Sequence, residues 1–145
     1  MTQRRIRPTA LAVIREDDRI LVFEAHDSVK GETFYRPLGG GIEFGELGEE
    51  AIRRELVEEL GIEAASARYL RMLENVFVYE GKPGHELVLV YEVELAGEVP
   101  PTPFTVLDSD DPVVWMPLAA LAEDGAPPLY PDGLLELLDG TPAGR

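Results

Sequence analysis

Apolar residues gather first in two runs, Ala10–Ile14 (ALAVI) and Ile20–Ala25 (ILVFEA), on either side of the polar Arg15-Glu16-Asp17-Asp18-Arg19. Two short apolar runs about a polar turn predict an antiparallel hairpin. His26 to Glu32 is polar with one glycine and predicts a loop. Phe34-Tyr35 and Arg36-Pro37-Leu38 then lead into three consecutive glycines, where backbone must approach something closely. From Leu47 to Leu60 the period changes. Ile52, Leu56 and Leu60 recur every four residues and Gly61 supplies a stop, which predicts a helix with a narrow apolar stripe. Arg68 to Glu80 and Glu86 to Leu95 predict two long strands about a turn at Gly81-Lys82-Pro83-Gly84. In the second, Leu87, Leu89, Tyr91, Val93 and Leu95 fall on one face and Glu86, Val88, Val90, Glu92 and Glu94 on the other. Farther on, Gly97 to Pro103 holds three prolines and predicts an irregular crossing, and Pro112 to Trp115 a short strand. Pro117 starts a helix through Ala122 that Gly125 ends, Pro131 to Leu138 is a final amphipathic helix, and Gly140 to Arg145 reads as frayed.

The helical stretch carries more acid than packing requires: Gly40 to Ile62 has seven glutamates and two arginines in 23 residues. Glu55, Glu58 and Glu59 stand at spacings of three and four, so on a helix their carboxylates project from one face. Like charges at these spacings cost an isolated helix roughly 0.2–0.5 kcal/mol per pair, and a cation against the cluster relieves that repulsion. Ala51 and the three acids lie about 100° round from the apolar stripe, so one flank packs on a sheet while the other faces a cleft. Arg54 follows Glu50 by four residues and precedes Glu58 by four, a spacing that holds a carboxylate in place.

At 145 residues, 45% hydrophobic and 28% charged, the chain suits one domain with its own core. Thirteen basic against 28 acidic side chains leave a net charge of -15, which disfavours nucleic-acid polymers and anionic membranes as partners. A small phosphorylated ligand stays compatible, because a bound divalent metal reverses the local sign. With no cysteine there is no disulfide framework, thiolate zinc site or cysteine nucleophile. The apolar run after Arg4, Arg5 and Arg7 is too short for a signal peptide, and no segment approaches the ~20 apolar residues of a membrane span, so the expectation is a cytoplasmic protein.

With these residues in view the chain resembles the Nudix hydrolases. Gly40 is followed after five residues by Glu46 and after seven more by Arg54-Glu55-Leu56. One free position then precedes Glu58-Glu59, and another precedes Gly61-Ile62. Nine specified positions at fixed spacings make a specific match, unlike a lone glycine motif. Trp115-Met116-Pro117-Leu118 with Leu121 is similar to the family's later tryptophan segment, so the resemblance spans about residues 8–139 of a single domain covering 1–145. It implies the α+β class, an α/β/α sandwich on a mixed sheet that carries a loop-helix-loop.

The implied activity is hydrolysis of a phosphoric anhydride bond in a nucleoside diphosphate linked to another group, with Mg2+ or Mn2+ as cofactor. Substrates of that kind are nucleotide sugars, ADP-ribose, dinucleoside polyphosphates and nucleoside triphosphates. By the same resemblance Glu58 and Glu59 are metal ligands and Glu55 is a ligand or the base that orients water. Glu55 and Glu58 are thus the catalytic acids, and Gly39 offers a carbonyl ligand. Gly40, Glu46, Arg54 and Gly61 are structural positions, with Arg54 and Glu46 bracing loop against helix. Some family members use a further carboxylate outside the box. Glu86 and Asp110 are favoured for it, as ligand or base, over Glu92, Asp108 and Asp111; Phe34, Tyr35 and Arg36 are placed to stack on a base or hold a phosphate, and Arg36, Glu86 and Asp110 are the expected substrate contacts. Family members are often homodimers, and Gly97 to Asp111 is the segment left free to contribute. One departure stands out: Leu38 separates Pro37 from Gly39, where the family often has proline directly before two glycines.

The residue types suit this chemistry apart from any name. Magnesium takes a few carboxylates and fills its shell with water and phosphate oxygens, and three glutamates on one helical face supply such donors. A competing reading is a Nudix-fold module that binds or senses a nucleotide without hydrolysis, against which the intact acids argue. A calcium-binding protein lacks its usual Asp-x-Asp-x-Asp-Gly loop here.

Overall fold

The computed structural model describes residues 4–139; the predicted frayed end, 140–145, lies outside them. In chain order the elements are β1 (Arg7–Val13), β2 (Arg15–Glu16), β3 (Arg19–Asp27), β4 (Glu32–Gly41), α1 (Gly48–Leu60), β5 (Ala64–Tyr79), β6 (Lys82–Leu95), β7 (Val113–Pro117), α2 (Leu118–Leu121) and α3 (Leu134–Asp139). The sheet runs β2-β3-β4-β1-β6-β5, with β7 paired to β3. It is mixed: β1 lies antiparallel to β4 and parallel to β6.

The hairpin expected from the first two apolar runs forms only at its tip, where Arg15 meets Ile20 and Glu16 meets Arg19. Beyond the tip β4 separates the two strands. The reason is burial: Ala10 to Val13 and Ile20 to Val22 are all at most 1% exposed, so each run needs cover on both faces and a partner on both edges. β4 serves both strands, pairing with β3 through Pro37 and with β1 from Leu38 to Gly41. That switch places the three glycines at the seam between the halves of the sheet.

Two apolar clusters cover the faces. Ala10 and Ala12 of β1 pack with Ala51, Ile52 and Leu56 of α1, whereas Leu11 and Val13 pack with Leu121 of α2 and Leu134 and Leu138 of α3. The result is the expected helix-sheet-helix sandwich. Alanines on the α1 side let the helix lie close to β1, and burying Ile52 and Leu56 stabilises that contact by roughly 1.5–3 kcal/mol each.

Two further expectations change. The β5–β6 turn is shorter than read from sequence, because Tyr79 already pairs with Lys82 and the loop is only Glu80-Gly81, with φ of 51° and 75°. Such a positive-φ pair matches strand twist and lets both strands continue to the turn. Glu50 does not reach Arg54. Its Oε1 accepts the Leu47 N–H at 2.8 Å, satisfying a free amide at the start of α1. At the other end Gly61 takes the left-handed conformation, φ 70°, and donates its N–H to the Val57 carbonyl. No helix among the described residues is long and apolar enough to cross a membrane.

Candidate active site

The glycine stretch and the acidic flank of α1 meet at short range. Gly39, at φ 144°, pairs with Leu11, and a side-chain carbon there would overlap the Ala10 carbonyl oxygen. At Gly40 the same carbon would lie 2.5 Å from Glu55 Oε1. Only bare backbone at these two positions lets β4 join β1 and the helix press its acids against the strand. Leu38, the residue that departs from the family pattern, is fully buried and packs against α1.

Arg54 is the hub of one end of this site. Its Nε donates to Glu46 Oε2 at 2.8 Å and its Nη2 to Glu46 Oε1 at 3.0 Å, a two-bonded pairing that suits the guanidinium plane. The same Nη2 donates to the Gly41 carbonyl at 3.0 Å, tying the strand and the loop to the helix. Nη1 donates to Glu55 Oε1 at 3.1 Å and Glu58 Oε2 at 3.3 Å. The Arg54 hydrogen bonds and the Glu43 N–H, against a smaller opposing effect of burial, hold the Glu46 carboxyl at about 2. Glu46 in turn raises the arginine.

Glu59 lies at the opposite end. Its Oε1 accepts the Gly39 N–H at 3.1 Å. Burial first, and then the neighbouring Glu55 and Glu58 carboxylates, push its carboxyl up to about 8, against the opposing pull of the Gly39 amide and the Arg36 guanidinium. Glu58 is the most open of the three, with its side chain 55% exposed against 16% for Glu55.

Among the described residues no three His, Asp or Glu side chains stand ready-grouped around a metal position, since Glu55 and Glu58 turn to Arg54 and Glu59 turns to Gly39. The donor set nevertheless fits a hard divalent cation: it is all carboxylate oxygen, and Glu59 is a half-buried acid that burial and the Glu55 carboxylate push toward its neutral form more than Arg36 holds it charged.

A cleft of about 710 Å³ opens beside this site, lined from both halves of the sheet. Of the three residues proposed from sequence for substrate contact, Arg36 and Glu86 line it; Asp110 is exposed and does not, and its neighbour Asp111 takes that place. Arg36 stands between cleft and acids, favouring the charged forms of both Glu59 and Asp111, while burial and Asp110 raise Asp111. Glu86 is buried, with the Arg7 guanidinium 3.7 Å away as its ion-pair partner among the described residues. Glu92 is engaged elsewhere, by Arg15 and Arg68. Tyr35 is packed in the core, whereas Phe34 faces the cleft against Tyr79 and Tyr130 at ring separations of 5.8 and 5.4 Å.

Sequence reasoning missed Asn75, Tyr79 and Tyr130. Asn75 carries a signal in hindsight: an amide in the apolar strand segment LENVFVY is disfavoured unless something uses it. It is buried directly opposite Glu86 in the β5–β6 ladder. Nothing local marks Tyr130, which is far along the chain and reaches the cleft through tertiary packing.

Comparison with known proteins agrees with the geometry. Two curated relatives named NAD-capped RNA hydrolase NudC, from two Pseudomonas aeruginosa strains, are each 29% identical over 118 residues, 81% of this chain. The chain spans only 38% of their length. Among solved structures, a MutT NUDIX hydrolase from Burkholderia pseudomallei is 25% identical with a TM-score of 0.69, the alignment covering 94% of this chain and 99% of that one. The E. coli ORF135 protein is also 25% identical, with a TM-score of 0.68 over 98% of this chain and 94% of its own. The model of the NUDIX domain matches residues 5–134, and with box, fold and acidic flank in one place the chain belongs to the Nudix family.

Proposed function

We propose that the protein is a divalent-metal-dependent pyrophosphohydrolase that cleaves a nucleoside diphosphate linked to another group, water attacking phosphorus. The observation that carries this is the acidic flank of α1, set against bare glycine backbone at the mouth of a cleft reached past Arg36. In this reading Glu55, Glu58 and Glu59 hold Mg2+ or Mn2+, with the Gly39 carbonyl as a further ligand. When bound, such a cation withdraws charge from phosphoryl oxygens and lowers the pKa of coordinated water. The chain's own groups do the remaining work. Glu55 or Glu58 accepts the proton of the attacking water, and Arg54 with Glu46 fixes the helix against the loop so that those acids keep their spacing. Arg36 meets the phosphate nearest the cleft.

The nucleoside then occupies the cleft, its base against Phe34, Tyr79 and Tyr130 and its polar edge toward Asn75 and Glu86. The net charge of -15 favours a mononucleotide-sized ligand over a polymer. The relatives' name adds NAD to the candidates for this chain. The test is a panel of NAD, ADP-ribose, nucleotide sugars, dinucleoside polyphosphates and nucleoside triphosphates, incubated with Mg2+ and Mn2+, with products identified by mass. A mononucleotide product from at least one member is expected, with turnover lowered by about two to four orders of magnitude in Glu58→Gln or Glu59→Gln. Tight nucleotide binding with no product from any member means a binding module instead.

A further inference from the structure

We propose that the outer edge of β5 is a self-association edge, on which a second copy of this chain adds antiparallel along residues 71–79 and continues the sheet across a two-fold axis. Among the described residues β5 ends the sheet, with β6 as its one strand partner. Over residues 71–79 no hydrogen bond other than the ladder to β6 reaches its backbone among the described residues. Every second amide and carbonyl of that stretch therefore points away from the fold.

Proteins usually blunt such an edge with proline, lysine, bulges or short length. The two halves of β5 differ in this respect. The first half is broken by irregularities between Ala64 and Ser66 and between Tyr69 and Arg71. From Arg71 to Tyr79 the register advances without a break, and that stretch holds neither proline nor lysine. Besides the exposed Arg71 and Glu74, apolar side chains meet water along it: Val76 is 71% exposed, Val78 46% and Met72 44%.

Charge selects the occupant. Two molecules that each carry -15 repel one another over most of their surface, and they approach most easily where that charge is absent. Residues 71–79 contain one arginine and one glutamate, Arg71 and Glu74, and are locally neutral. A basic partner is drawn to the acidic surfaces, so a neutral, hydrogen-bonding edge suits another copy. An antiparallel edge is also self-complementary. Pairing about Asn75 sets Met72 of one copy opposite Val78 of the other and Arg71 opposite Tyr79, apolar against apolar and cation against ring. Val76 and Val78 also border the cleft, so the second copy stands at its rim. This places the association on β5 and not on the segment from Gly97 to Asp111.

The experiment is sedimentation velocity on the whole chain across a concentration series, beside Val76→Lys and, as control, Leu107→Lys on an apolar residue of the Gly97–Asp111 segment, which is 92% exposed. Circular dichroism checks that each variant is folded. Expected is a reversible dimer populated at about micromolar to tens of micromolar, retained in Leu107→Lys and weakened at least about tenfold in Val76→Lys. Hydrogen exchange gives a second readout: outward amides of residues 71–79 gain protection as concentration rises, also when Val76→Lys fails to fold. A wild-type chain that stays monomeric at several hundred micromolar overturns the proposal, as does a dimer indifferent to Val76→Lys or one whose protection lies elsewhere. Hydrolysis plays no part in this readout, so it stands or falls apart from the proposed activity.

Discussion

Glu46 and Glu59 belong to one acidic region and are treated in opposite ways. Glu46 is gripped by two bonds from Arg54 and sits at about 2, while Glu59 has one backbone amide and the unbonded Arg36 against burial and two carboxylate neighbours, and a value of about 8. A carboxylate whose charge is fully answered within the chain holds structure together. One whose charge is unanswered has capacity left for a ligand. The difference therefore separates brace from site more sharply than spacing along the helix does.

The widest separation is expected from paired substitutions read twice, by turnover and by melting without metal. Glu59→Gln keeps an oxygen for the Gly39 N–H and removes the ionisable group, so turnover falls by about two to four orders of magnitude while the metal-free melting temperature near neutral pH holds. Glu46→Gln keeps the fold's shape but loses the charge that Arg54 grips. Its melting temperature falls, and turnover drops only about tenfold through loosened positioning. Equal losses of stability in both variants would remove the distinction between the two ends.

Next in size is the pH dependence of the metal-free protein. The Glu59 carboxyl titrates near 8 when folded and in the ordinary carboxylate range when unfolded, so between those values the folded chain holds the extra proton. The stability it contributes is full at low pH and is lost as pH rises through about 8, a change on the order of 3 kcal/mol. Urea unfolding with chelator at pH 5.5, 7 and 8.5 measures it. Glu59→Gln flattens that slope between about pH 5 and 8, and added Mg2+ opposes the loss because it binds the charged form.

The brace was legible in the chain and the cleft largely was not, for a physical reason. Arg54, Glu55, Glu58 and Glu59 share one helix, where geometry follows from spacing, and Glu46 precedes it by a short loop. The apolar flank Ala51, Ile52 and Leu56 follows from the same period. The hairpin failed because an apolar run states that a strand is buried on both faces but not which strand lies beside it. Asn75, Glu86, Asp111 and Tyr130 meet only after β4 has crossed between β3 and β1, and no local period records that crossing. Asp110 and Asp111 show the same limit at the scale of one residue: Asp111 lines the cleft and Asp110 does not, and which carboxylate of a loop turns inward is decided by what the loop rests on.

The smallest effect expected on stability, and a fine test of how closely the two ends are coupled, comes from Gly40→Ala. The added methyl meets Glu55 Oε1 at 2.5 Å, and the atom it meets is the end of a flexible side chain, so the acid moves and the backbone stays. Stability should change by less than about 1 kcal/mol. Moving Glu55 leaves the Arg54 bonds to Glu46 and Gly41 intact but takes away the neighbour that, after burial, does most to raise Glu59. Turnover should then fall about tenfold, and the alkaline loss of metal-free stability should weaken. Gly39→Ala is the contrast, because there the methyl meets backbone at a positive φ and the cost is a few kcal/mol, about 2–4. If Gly40→Ala unfolds the chain as readily as Gly39→Ala, Glu55 is held as rigidly as Glu46, and the freedom assigned to the Glu59 end does not exist.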